Sequence, residues 1–592
     1  MRTDSLTPRA DAPASPGRLD RAAAGLCRPR PWPLLAAVAL AIGVAHALRM
    51  LPLPLILGSG SFWTFPRGTV PGSANDMAQV VVGYVSLVRA PWGLPLLQVR
   101  TLLPPDGTNI FWLDAVPLVS LAGKLVFAAT GSVVNLLGAY LFACLALPGV
   151  AMTGVRWMAG QRGLIAAIAG AALADAMPYF LFEWGHIALF AHVLVILGLF
   201  LYVARLRQPR ARWVVLGWPA LLAVAALTNL YLFAMAGGCW AAALVQCGLD
   251  RRLPPRRLLA EAAASVALVV LLLLAAGILS PQLAAARFAG YGVFSLNLAS
   301  PFVPQLSGVI PPLAGYWVGM HQQVFSYLGL GGLLVLLAGA LAALARGRSG
   351  LRRMARAHAA LLVLFAAWYL FALSHRIMLG GHLLLALPLP DTVVYAFGAF
   401  RAAGRFFWPI GYAAVACGAV LTLRHWRPRT AAALLLLAAV LQFADAGPTR
   451  EAIAASAQGP AAPALDRARV AAVLAQARGV LVFPVFGCEP ATLDADGHLT
   501  ADSSRRSQAI MEIQLLAARA NLPINSVDNA RGTPDCAGQE QAMQAPLRRG
   551  QAYFYLTPFT PDRSQLGGAD PAAACPALDW ARDCLLPAET PP

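Results

Sequence analysis

Charged side chains are scarce in this chain of 592 residues: 12% are Asp, Glu, Lys or Arg, whereas 58% are hydrophobic. Several apolar runs are long enough to cross a hydrocarbon core of ~30 Å, which takes roughly 20 helical residues. The first run follows an arm rich in Arg, Pro and Ala. It is too long for a signal-peptide core and lacks a clear cleavage site, so we expect it to be retained. The composition predicts an α-helical polytopic membrane protein.

Lysine is almost absent, because Lys124 is the only one, and Arg carries nearly all of the positive charge. A net charge of +18 could indicate a nucleic-acid partner, but 24 of the 45 basic residues lie in six short clusters between apolar runs. Such clusters are typical of cytoplasmic loops. The charge pattern therefore indicates a lipid bilayer and no nucleic acid. The clusters lie in residues 1–31, 156–162, 205–212, 251–257, 346–356 and 424–429.

Placing every cluster in the cytoplasm predicts eleven crossings, with the N-terminus inside and the C-terminus outside. The apolar stretch from Ala115 to Thr130 does not fit this alternation, so we interpret it as a membrane-skimming or re-entrant helix on the outer face. The predicted crossings are 33–57, 133–155, 163–181, 187–204, 213–228, 231–248, 258–280, 323–345, 358–374, 407–423 and 430–447.

Three regions follow from this topology. Residues 1–32 form a cytoplasmic arm, residues 33–447 a transmembrane domain with a first outer loop at 58–132, and residues 448–592 a periplasmic domain. In the last region, segments that begin at Val480, Ser504, Ile524 and Ala552 have the patterns of strand, helix, strand and strand. We therefore expect a small C-terminal α/β domain. No fixed-period repeat is found by eye, which argues against a solenoid or a propeller.

Four of the nine cysteines, Cys488, Cys536, Cys575 and Cys584, fall in the C-terminal region. An even set confined to the one large segment assigned to the outside predicts two disulfides formed in an oxidising compartment. Four free thiols are the alternative. Four cysteines allow three pairings, and the sequence does not choose among them.

Two aspartates lie in the first outer loop, Asp76 in NDMAQ and Asp114 in PPDGTNIFWLDAVPL. A pair of carboxylates at the membrane surface could take a proton from a hydroxyl, orient that hydroxyl, or hold a divalent cation such as Mg²⁺ or Mn²⁺. Helix capping is the alternative. Ser73 and Asp76 have capping-box spacing, and Asp114 with Pro117 behind it suits an N-cap.

Arginines in a loop assigned to the outer side indicate a specific role, because positive residues are disfavoured on that side. Arg401 and Arg405 are four apart, which predicts one helical face that could bind an anionic phosphate through forked hydrogen bonds. The alternative, also for Lys124, is snorkelling to lipid phosphates. His186 and His192 are six apart and lack the spacing of a helical zinc pair. The candidates for substrate binding are Arg401, Arg405, Arg376, His186 and Lys124.

Taken together, these features resemble the layout of the C-type (GT-C) glycosyltransferases. An acid lies just beyond span one, followed by a helix, a D-x-x-P-L segment, Lys124 and the second span. More closely, a series of motifs resembles, in the same order, a bacterial family of multi-span proteins of unassigned function placed in that superfamily. The motifs are NDMAQ, PPDGTNIFWLDAVPL, GHIALFAH, NLASPFVPQLSG, FSYLGLGGL and FRAAGRFFWP, running from about Asp76 to Pro409.

The resemblance implies a sugar donor carried on a polyprenyl phosphate, transfer at the outer membrane face, and an essential carboxylate in the first outer loop. That role falls on Asp76, with Asp114 as the second candidate. Many members carry two adjacent acids, whereas this chain has Asn75 and Asp76, so a role as a base is favoured over a role as a metal ligand.

We therefore expect an inverting glycosyltransferase of a bacterial inner membrane, acting at the periplasmic face on a glycan, lipid or protein acceptor. The alternative function is a transporter or flippase of a lipid-linked glycan. Such proteins usually place ionisable groups at mid-membrane and often show paired repeats. Here intramembrane acids are few, Asp175 being the clearest, and polar residues cluster in the outward loops.

Overall fold

The fold is mostly helical, as a chain in lipid must be, because helices pair the backbone N–H and C=O groups within one segment. The computed structural model describes residues 25–69, 73–280, 291–313, 325–345, 347–488, 492, 500–529, 536–561, 566, 575–578 and 581–585. In this part of the chain, eight helices are long and apolar enough to cross a membrane, or nine if one bent pair counts as a span. The predicted α-helical polytopic fold is confirmed.

The helices follow the apolar runs closely. In chain order they are α1 (Trp32–Met50), α2 (Leu53–Ile56), α3 (Ser73–Arg89), α4 (Pro117–Thr130), α5 (Leu137–Ala146), α6 (Pro148–Met158), α7 (Leu164–Asp175), α8 (Pro178–Phe182), α9 (Val193–Arg207), α10 (Arg212–Ala226), α11 (Leu230–Leu249), α12 (Pro255–Ala276), α13 (Gly329–Ala345), α14 (Gly347–Ala357), α15 (Ala359–Leu373), α16 (Asp391–Gly398), α17 (Trp408–His425), α18 (Pro428–Asp445), α19 (Gly447–Ala457), α20 (Arg467–Leu474), α21 (Ala501–Ala520) and α22 (Cys536–Gln544). Short 3₁₀ turns cover Ser61–Thr64, Ile110–Leu113, Ile187–Leu189 and Ala403–Phe407.

Each of the eleven predicted crossings corresponds to helix in the described residues. Eight are full-length spans, and α13 with part of α14 makes the bent pair. The crossings predicted at 213–228 and 358–374 are the shorter helices α10 and α15, of 15 residues each. The start of the crossing predicted at 323–345 lies outside the described residues.

Local sequence explains where several helices begin and end. Proline is the first residue of α4, α12 and α18, a position where its missing N–H costs nothing. The Asn229 side chain accepts a hydrogen bond from the backbone N–H of Tyr231 at 2.9 Å and so caps α11. Gly131 and Gly277 end α4 and α12 with φ of 70° and 73°, a left-handed conformation that glycine adopts without a steric penalty.

The stretch predicted to skim the membrane forms α4, a helix of 14 residues. At 1.5 Å per residue it is about 21 Å long, too short to cross ~30 Å of hydrocarbon without tilt. It packs against α3, because the absence of a side chain at Gly123 leaves room for the Tyr84 hydroxyl, 2.3 Å from where a Cβ would be. The pairing of α3 with α4 gives the first outer loop its rigid framework.

Two pairs of short antiparallel strands precede the C-terminal region, β1 (Gln98–Val99) with β2 (Thr108–Asn109) and β3 (Arg376–Leu379) with β4 (His382–Ala386). The described part of the C-terminal region contains the strands β5 (Gly479–Phe483), β6 (Gln551–Leu556), β7 (Ala577–Leu578) and β8 (Ala581–Leu585), which form one sheet in the order β5-β6-β8-β7. The parallel pair is β5 and β6, with Leu481 beside Tyr553. The chain between them includes α21, as a parallel crossover requires. Strands β8 and β7 add on antiparallel. The strand predicted at Ile524 is reduced to isolated bridges, because Ile524 pairs singly with Leu102 and Val480.

Two disulfides hold this region: Cys488 with Cys536, and Cys575 with Cys584. Their Cα atoms are 5.5 and 4.4 Å apart, within the range that a disulfide spans. The described free cysteines are Cys27, Cys144, Cys239, Cys247 and Cys417. The structure thus selects one of the three pairings that the sequence allows.

The C-terminal region packs directly on the first outer loop. Arg89, at the end of α3, donates hydrogen bonds to the backbone carbonyls of Ala518 and Arg519 at the end of α21. The Arg519 guanidinium donates in turn to the carbonyl oxygens of Trp63 and Thr64. Helix α3 therefore packs against both α4 and α21.

Candidate active site

A cavity of about 180 Å³ lies between α3, the ends of several membrane helices and the segment before α17. Most of the candidate residues from the sequence line it. The polar side chains of its wall are Asp76, Gln79, Asp114, His186, Asn229, Tyr231, Arg401 and Arg405. The cavity therefore brings together acids and bases that are more than 300 residues apart in the chain.

Asp76 lies in the first turn of α3, where a carboxylate interacts favourably with the helix dipole. Its side chain is 48% exposed, and because the residue lines the cavity, the exposed part faces that cavity. One turn further, the buried Gln79 donates a hydrogen bond to the backbone carbonyl of Asp528 at 2.6 Å. The C-terminal region thus fixes the end of the helix that carries Asp76. The Ser73 side chain, and with it the predicted capping box, lies outside the described residues.

His186 is the nearest charged neighbour of Asp76, with Nε2 3.6 Å from Asp76 Oδ2. Its other ring nitrogen, Nδ1, is 3.2 Å from Oε2 of Glu183. The two residues share a short link between α8 and the turn Ile187–Leu189, so their backbone positions are fixed by the membrane helices on both sides. The imidazole therefore stands between two carboxylates, one buried and one facing the cavity.

Glu183 is 1% exposed and holds two positive groups at once. Besides His186, its Oε2 is 3.4 Å from a terminal nitrogen of Arg405. A buried carboxylate needs such partners, because an unpaired charge in a low-dielectric site is costly. The sequence analysis did not include Glu183 among the site residues. Its one signal there was an acid within the otherwise apolar stretch YFLFEW.

Arg405 lies in the 3₁₀ turn Ala403–Phe407, and its side chain is 12% exposed. The guanidinium lies over the rings of Tyr231 and Trp408, with centroid distances of 5.4 and 5.9 Å, which restricts its orientation. Its Nε is buried and has no hydrogen-bond partner among the residues that the structure describes. Part of the donor capacity of Arg405 therefore remains for a ligand.

Arg401 also lines the cavity, and its guanidinium lies 5.8 Å from the centre of the Phe294 ring. The prediction that Arg401 and Arg405 share a helical face is wrong. Helix α16 ends at Gly398, and the 3₁₀ turn begins only at Ala403, so Arg401 lies in the irregular link between them. The two guanidinium groups nevertheless face one volume, because the link folds back onto the cavity.

Asp114 lies on the cavity wall, in a left-handed conformation with φ of 46°. Aspartate tolerates this conformation better than most residues. The capping interpretation of Asp114 is wrong, because α4 begins at Pro117 with Val116 as its N-cap and no side-chain cap. Asp114 therefore lines the cavity without capping α4.

Lys124 and Arg376 do not line this cavity. The Lys124 ammonium is buried, donates to the carbonyl of Pro91 at 3.1 Å and lies 4.6 Å above the Trp92 ring. Arg376 is the exposed first residue of a strand, β3 (Arg376–Leu379). Of the five candidates for substrate binding, the structure thus brings three together: Arg401, Arg405 and His186.

Burial and neighbouring charges raise the pKa values of Asp76 and His186 and lower that of Glu183. Burial in the recess raises the pKa of Asp76, and the positive charge of His186 opposes this without cancelling it. Burial lowers the pKa of His186, but the Glu183 carboxylate outweighs it and raises the pKa. Burial raises the pKa of Glu183, but Arg405 and His186 together lower it to about 2.

The lowered pKa of Glu183 keeps this group a carboxylate near neutral pH, and the raised pKa of His186 favours the protonated imidazole. The raised pKa of Asp76 makes its carboxylate, once ionised, a stronger proton acceptor than an ordinary aspartate. The described residues contain no group of three or more His, Cys, Asp or Glu side chains that could hold a metal ion.

Two models of one protein family match the sequence. The model described as "Domain of unknown function (DUF6311)" matches residues 40–447, and the model described as "DUF6311 C-terminal domain" matches residues 469–580. The first match includes all of the motifs that predicted membership of a bacterial multi-span family, and that prediction is confirmed. No curated protein matches the sequence.

Two solved structures are similar over most of this chain. An oligosaccharyltransferase of Archaeoglobus fulgidus in the apo form has 11% identity and a TM-score of 0.37, covering 83% of this chain and 64% of its own. ArnT from Cupriavidus metallidurans in the apo state has 15% identity and a TM-score of 0.36, covering 93% of this chain and 96% of its own. Similarities this low carry no conclusion about activity.

Proposed function

The chain belongs to the DUF6311 family, and we propose that it is an inverting membrane glycosyltransferase. The donor is a sugar on a polyprenyl phosphate, and the acceptor is a hydroxyl of a glycan, lipid or protein. One observation carries the proposal: Asp76, a carboxylate with a raised pKa, lines the same cavity as Arg401 and Arg405. A proton acceptor and an anion site that face one volume suit the displacement of a phosphate by a hydroxyl.

The proposed reaction is a single displacement. The acceptor oxygen attacks the anomeric carbon while its proton passes to the Asp76 carboxylate. The bond between that carbon and the phosphate oxygen breaks, and the transition state places positive charge on the sugar. The electron pair of the broken bond stays with the polyprenyl phosphate, which leaves. Attack from the face opposite the leaving group inverts the configuration at the anomeric carbon.

Arg401 and Arg405 stabilise the negative charge of the departing phosphate. Guanidinium groups suit this role because they donate forked, charge-assisted hydrogen bonds to phosphate oxygens. The Nε of Arg405 is buried and has no partner within the described ranges, which supports a ligand at that guanidinium. Glu183 orients Arg405 from behind, at 3.4 Å, on the side away from the ligand.

His186 acts on Asp76 as a positioning residue. Its protonated ring lies 3.6 Å from the Asp76 carboxylate, orients that carboxylate and lowers the pKa of Asp76 against the effect of burial. Glu183 keeps the proton on His186. Glu183 therefore serves both halves of the site, the base through His186 and the phosphate subsite through Arg405.

The lipid carrier explains why the site belongs to a membrane protein. The cavity lies at the ends of helices that the alternation of Arg clusters assigns to the outer side. A phosphate at this level allows a polyprenyl tail to lie between or beside the spans. We place the reaction at the periplasmic face of a bacterial inner membrane, with the N-terminus in the cytoplasm.

The rival is a transporter or flippase of a lipid-linked glycan, and buried ionisable groups in the membrane helices favour it. Asp175 and Arg156 are both at most 1% exposed. Asp175, however, accepts a hydrogen bond from the backbone N–H of Gly149 at 2.7 Å, which gives it a structural partner. The polar residues that meet in a cavity are those of the outer loops, which supports an enzyme.

Purified protein in liposomes tests the proposal. A panel of polyprenyl-phosphate monosaccharides, each with a radiolabelled sugar, is supplied with cell-envelope acceptors. We expect the label to leave the donor lipid and polyprenyl phosphate to appear in equal amount. Movement of an intact fluorescent donor across the bilayer, without release of its sugar, would contradict the enzyme and support the flippase.

Metal dependence stays a prediction from the two carboxylates of the first outer loop. Asp76 and Asp114 offer oxygen ligands of the kind that Mg²⁺ and Mn²⁺ prefer. Transfer is measured after treatment with a chelator and again after addition of either cation. Loss followed by recovery supports a cation at this pair, and unchanged transfer rejects it.

A further inference from the structure

An apolar β-hairpin follows α15 on the outer side of the membrane helices. It consists of β3 (Arg376–Leu379) and β4 (His382–Ala386), paired antiparallel. From Ile377 to Pro390 the sequence has no Asp, Glu, Lys or Arg. All five residues of β4 are exposed, and the exposed fractions of Leu383, Leu384 and Leu385 are 47%, 55% and 46%. Because successive side chains of a strand point to opposite faces, both faces of β4 are open and apolar.

Such a strand is unfavourable in water. A half-solvated antiparallel strand normally alternates apolar and polar residues, and an exposed apolar edge strand promotes aggregation. The hairpin is nevertheless held in place by hydrogen bonds to the backbone of Met378 and Gly380. The Asn297 side chain exchanges two hydrogen bonds with the backbone of Gly380, at 2.8 and 3.0 Å, and the Leu298 N–H donates to the carbonyl of Met378 at 2.9 Å. A fixed apolar surface of this kind needs an apolar surrounding.

The length of α15 sets the depth of the hairpin. Helix α15 has 15 residues, about 22 Å at 1.5 Å per residue, whereas the hydrocarbon core is ~30 Å thick. Its inner end follows the Arg-rich helix α14, which places that end at the cytoplasmic interface. The outer end of α15 therefore stops about 8 Å short of the outer boundary of the hydrocarbon. The residues that come next in the chain, those of the hairpin, lie at the level of the upper acyl chains and headgroups.

The hairpin also continues a surface that faces lipid. On α15 the most exposed side chains are apolar, with Val363 at 70% and Leu370 at 67%. The hairpin begins after a link of two residues, and beyond its first residue, Arg376, it carries the same apolar, uncharged exposure outward. A soluble protein partner would have to cover both faces of β4 beside the bilayer. Lipid covers both faces without any specific contact.

We propose that the hairpin of β3 and β4 lies in the outer interface of the bilayer, with its leucines among the upper acyl chains. Its unpaired backbone edge lies at headgroup depth, where water reaches the free N–H and C=O groups that hydrocarbon would leave unsatisfied. The chain then runs through α16 to Gly398 and Arg401 on the cavity wall. The hairpin thus marks the lipid-facing side of the cavity and holds that wall at the depth of lipid phosphates.

Depth-dependent fluorescence quenching tests this placement without any assumption about activity. The full chain is prepared with the five free cysteines replaced by alanine and both disulfides kept. A new cysteine at Leu384→Cys is labelled with an environment-sensitive fluorophore, and the protein is placed in lipid nanodiscs. Matched controls are Leu370→Cys, on the lipid-facing side of α15, and Asp502→Cys, an exposed position in the C-terminal region.

The expected result is that a nitroxide near the glycerol end of the lipid acyl chain quenches the Leu384 label as it does the Leu370 label, and that aqueous iodide quenches it far less than the Asp502 label. Quenching of the Leu384 label by iodide to the level of the Asp502 label, without quenching by the lipid nitroxide, would overturn the proposal. Leu383→Cys, on the opposite face of β4, repeats the test if Leu384→Cys fails to fold. Because the readout is independent of glycosyl transfer, its failure would leave the proposed function untouched.

Discussion

At the scale of single residues, the site is a chain of four alternating charges: Arg405, Glu183, His186 and Asp76. The contacts between neighbours are 3.4, 3.2 and 3.6 Å. The sequence indicated Asp76 and the two arginines, because each stood out against an apolar background. It did not indicate Glu183 as a site residue, because that role depends on a contact with Arg405, 222 residues away in the chain. Burial of 99% of the Glu183 side chain is likewise a property of the fold alone.

The pH profile of transfer should report on Asp76 and His186. Asp76 must be ionised to accept a proton, so activity rises with pH through its raised pKa. Protonated His186 positions the Asp76 carboxylate, 3.6 Å away, through its positive charge, so activity falls again as the pH passes the raised pKa of His186. Arg401 and Arg405 also lower the pKa of Asp76, and Asp114 raises it.

His186→Gln is the matched variant for this profile. Without the imidazolium, the pKa of Asp76 rises further, so the acid limb should move to higher pH, and the alkaline limb should disappear. The measurement is the rate of sugar transfer across the pH range. A variant profile that keeps both limbs where the native protein has them would show that His186 does not act on Asp76.

Arg405 should contribute to donor binding through both the forked hydrogen bonds and the positive charge of its guanidinium. Arg405→Ala removes charge-assisted hydrogen bonds worth about 1.5 to 3 kcal/mol, so donor use should fall about 10- to 100-fold. Arg405→Lys keeps the charge but lacks the fork, and should lose less. The measurement is transfer as a function of donor concentration, and near-native activity in both variants would leave Arg405 as a lipid anchor.

The alanine variant needs a control, because it leaves Glu183 buried without one of its partners, which costs about 3 to 5 kcal/mol in stability. Arg401→Ala has no such cost, since Arg401 is exposed and no carboxylate pairs with it among the described residues. Arg405→Ala combined with Glu183→Gln removes both charges. Thermal unfolding of these variants separates a loss of folding from a loss of phosphate binding.

At the scale of elements, α3 is the part of the fold that presents Asp76, and close packing fixes it. A Cβ at Gly83 would lie 2.9 Å from the Cβ of Ala115, so α3 touches the segment before α4 directly. The periodicity of α3 and the position of α4 were predictable, because both follow from apolar patterns. The irregular link that carries Arg401 and the true N-cap of α4 were not, because turns of this kind depend on tertiary contacts more than on spacing.

Gly83→Val should push α3 away from Ala115 and displace Asp76. Overpacking of this kind costs about 1 to 3 kcal/mol, so we expect a lower unfolding temperature and reduced transfer. Gly93→Val is the control, because a Cβ there would meet nothing within 4 Å. Native activity and stability in the Gly83→Val variant would mean that the packing of α3 is looser than the structure indicates.

At the scale of the whole molecule, the Arg clusters predicted a topology, and the structure supplies helices at all eleven predicted crossings. The sequence also indicated a C-terminal region with strand and helix. It did not indicate that this region packs on α3 through Arg89 and on the turn Ser61–Thr64 through Arg519, because these contacts join residues that lie 429 and 455 positions apart in the chain. The orientation of the chain in the membrane stays a prediction.

A reporter fusion tests that orientation. Alkaline phosphatase fused after Ala446 should be active, because the enzyme needs an oxidising compartment to form its disulfides and residues 448–592 are predicted to lie outside. The measurement is phosphatase activity in whole cells. An inactive phosphatase together with an active cytoplasmic reporter at the same junction would show that the count of crossings is off by one, most directly because the stretch from Ala115 to Thr130 crosses the membrane.

The most direct test of the whole account is sugar transfer by Asp76→Asn. Asparagine caps a helix about as well as aspartate, so a capping role predicts a loss of well under ~1 kcal/mol and near-native transfer. Asparagine cannot accept the proton of the acceptor, so a catalytic role predicts a rate lower by roughly 10²-fold or more in a protein that still inserts and folds. Asp114→Asn, measured beside it, shows whether the second acid is also required. Full transfer by a folded Asp76→Asn variant would contradict the mechanism.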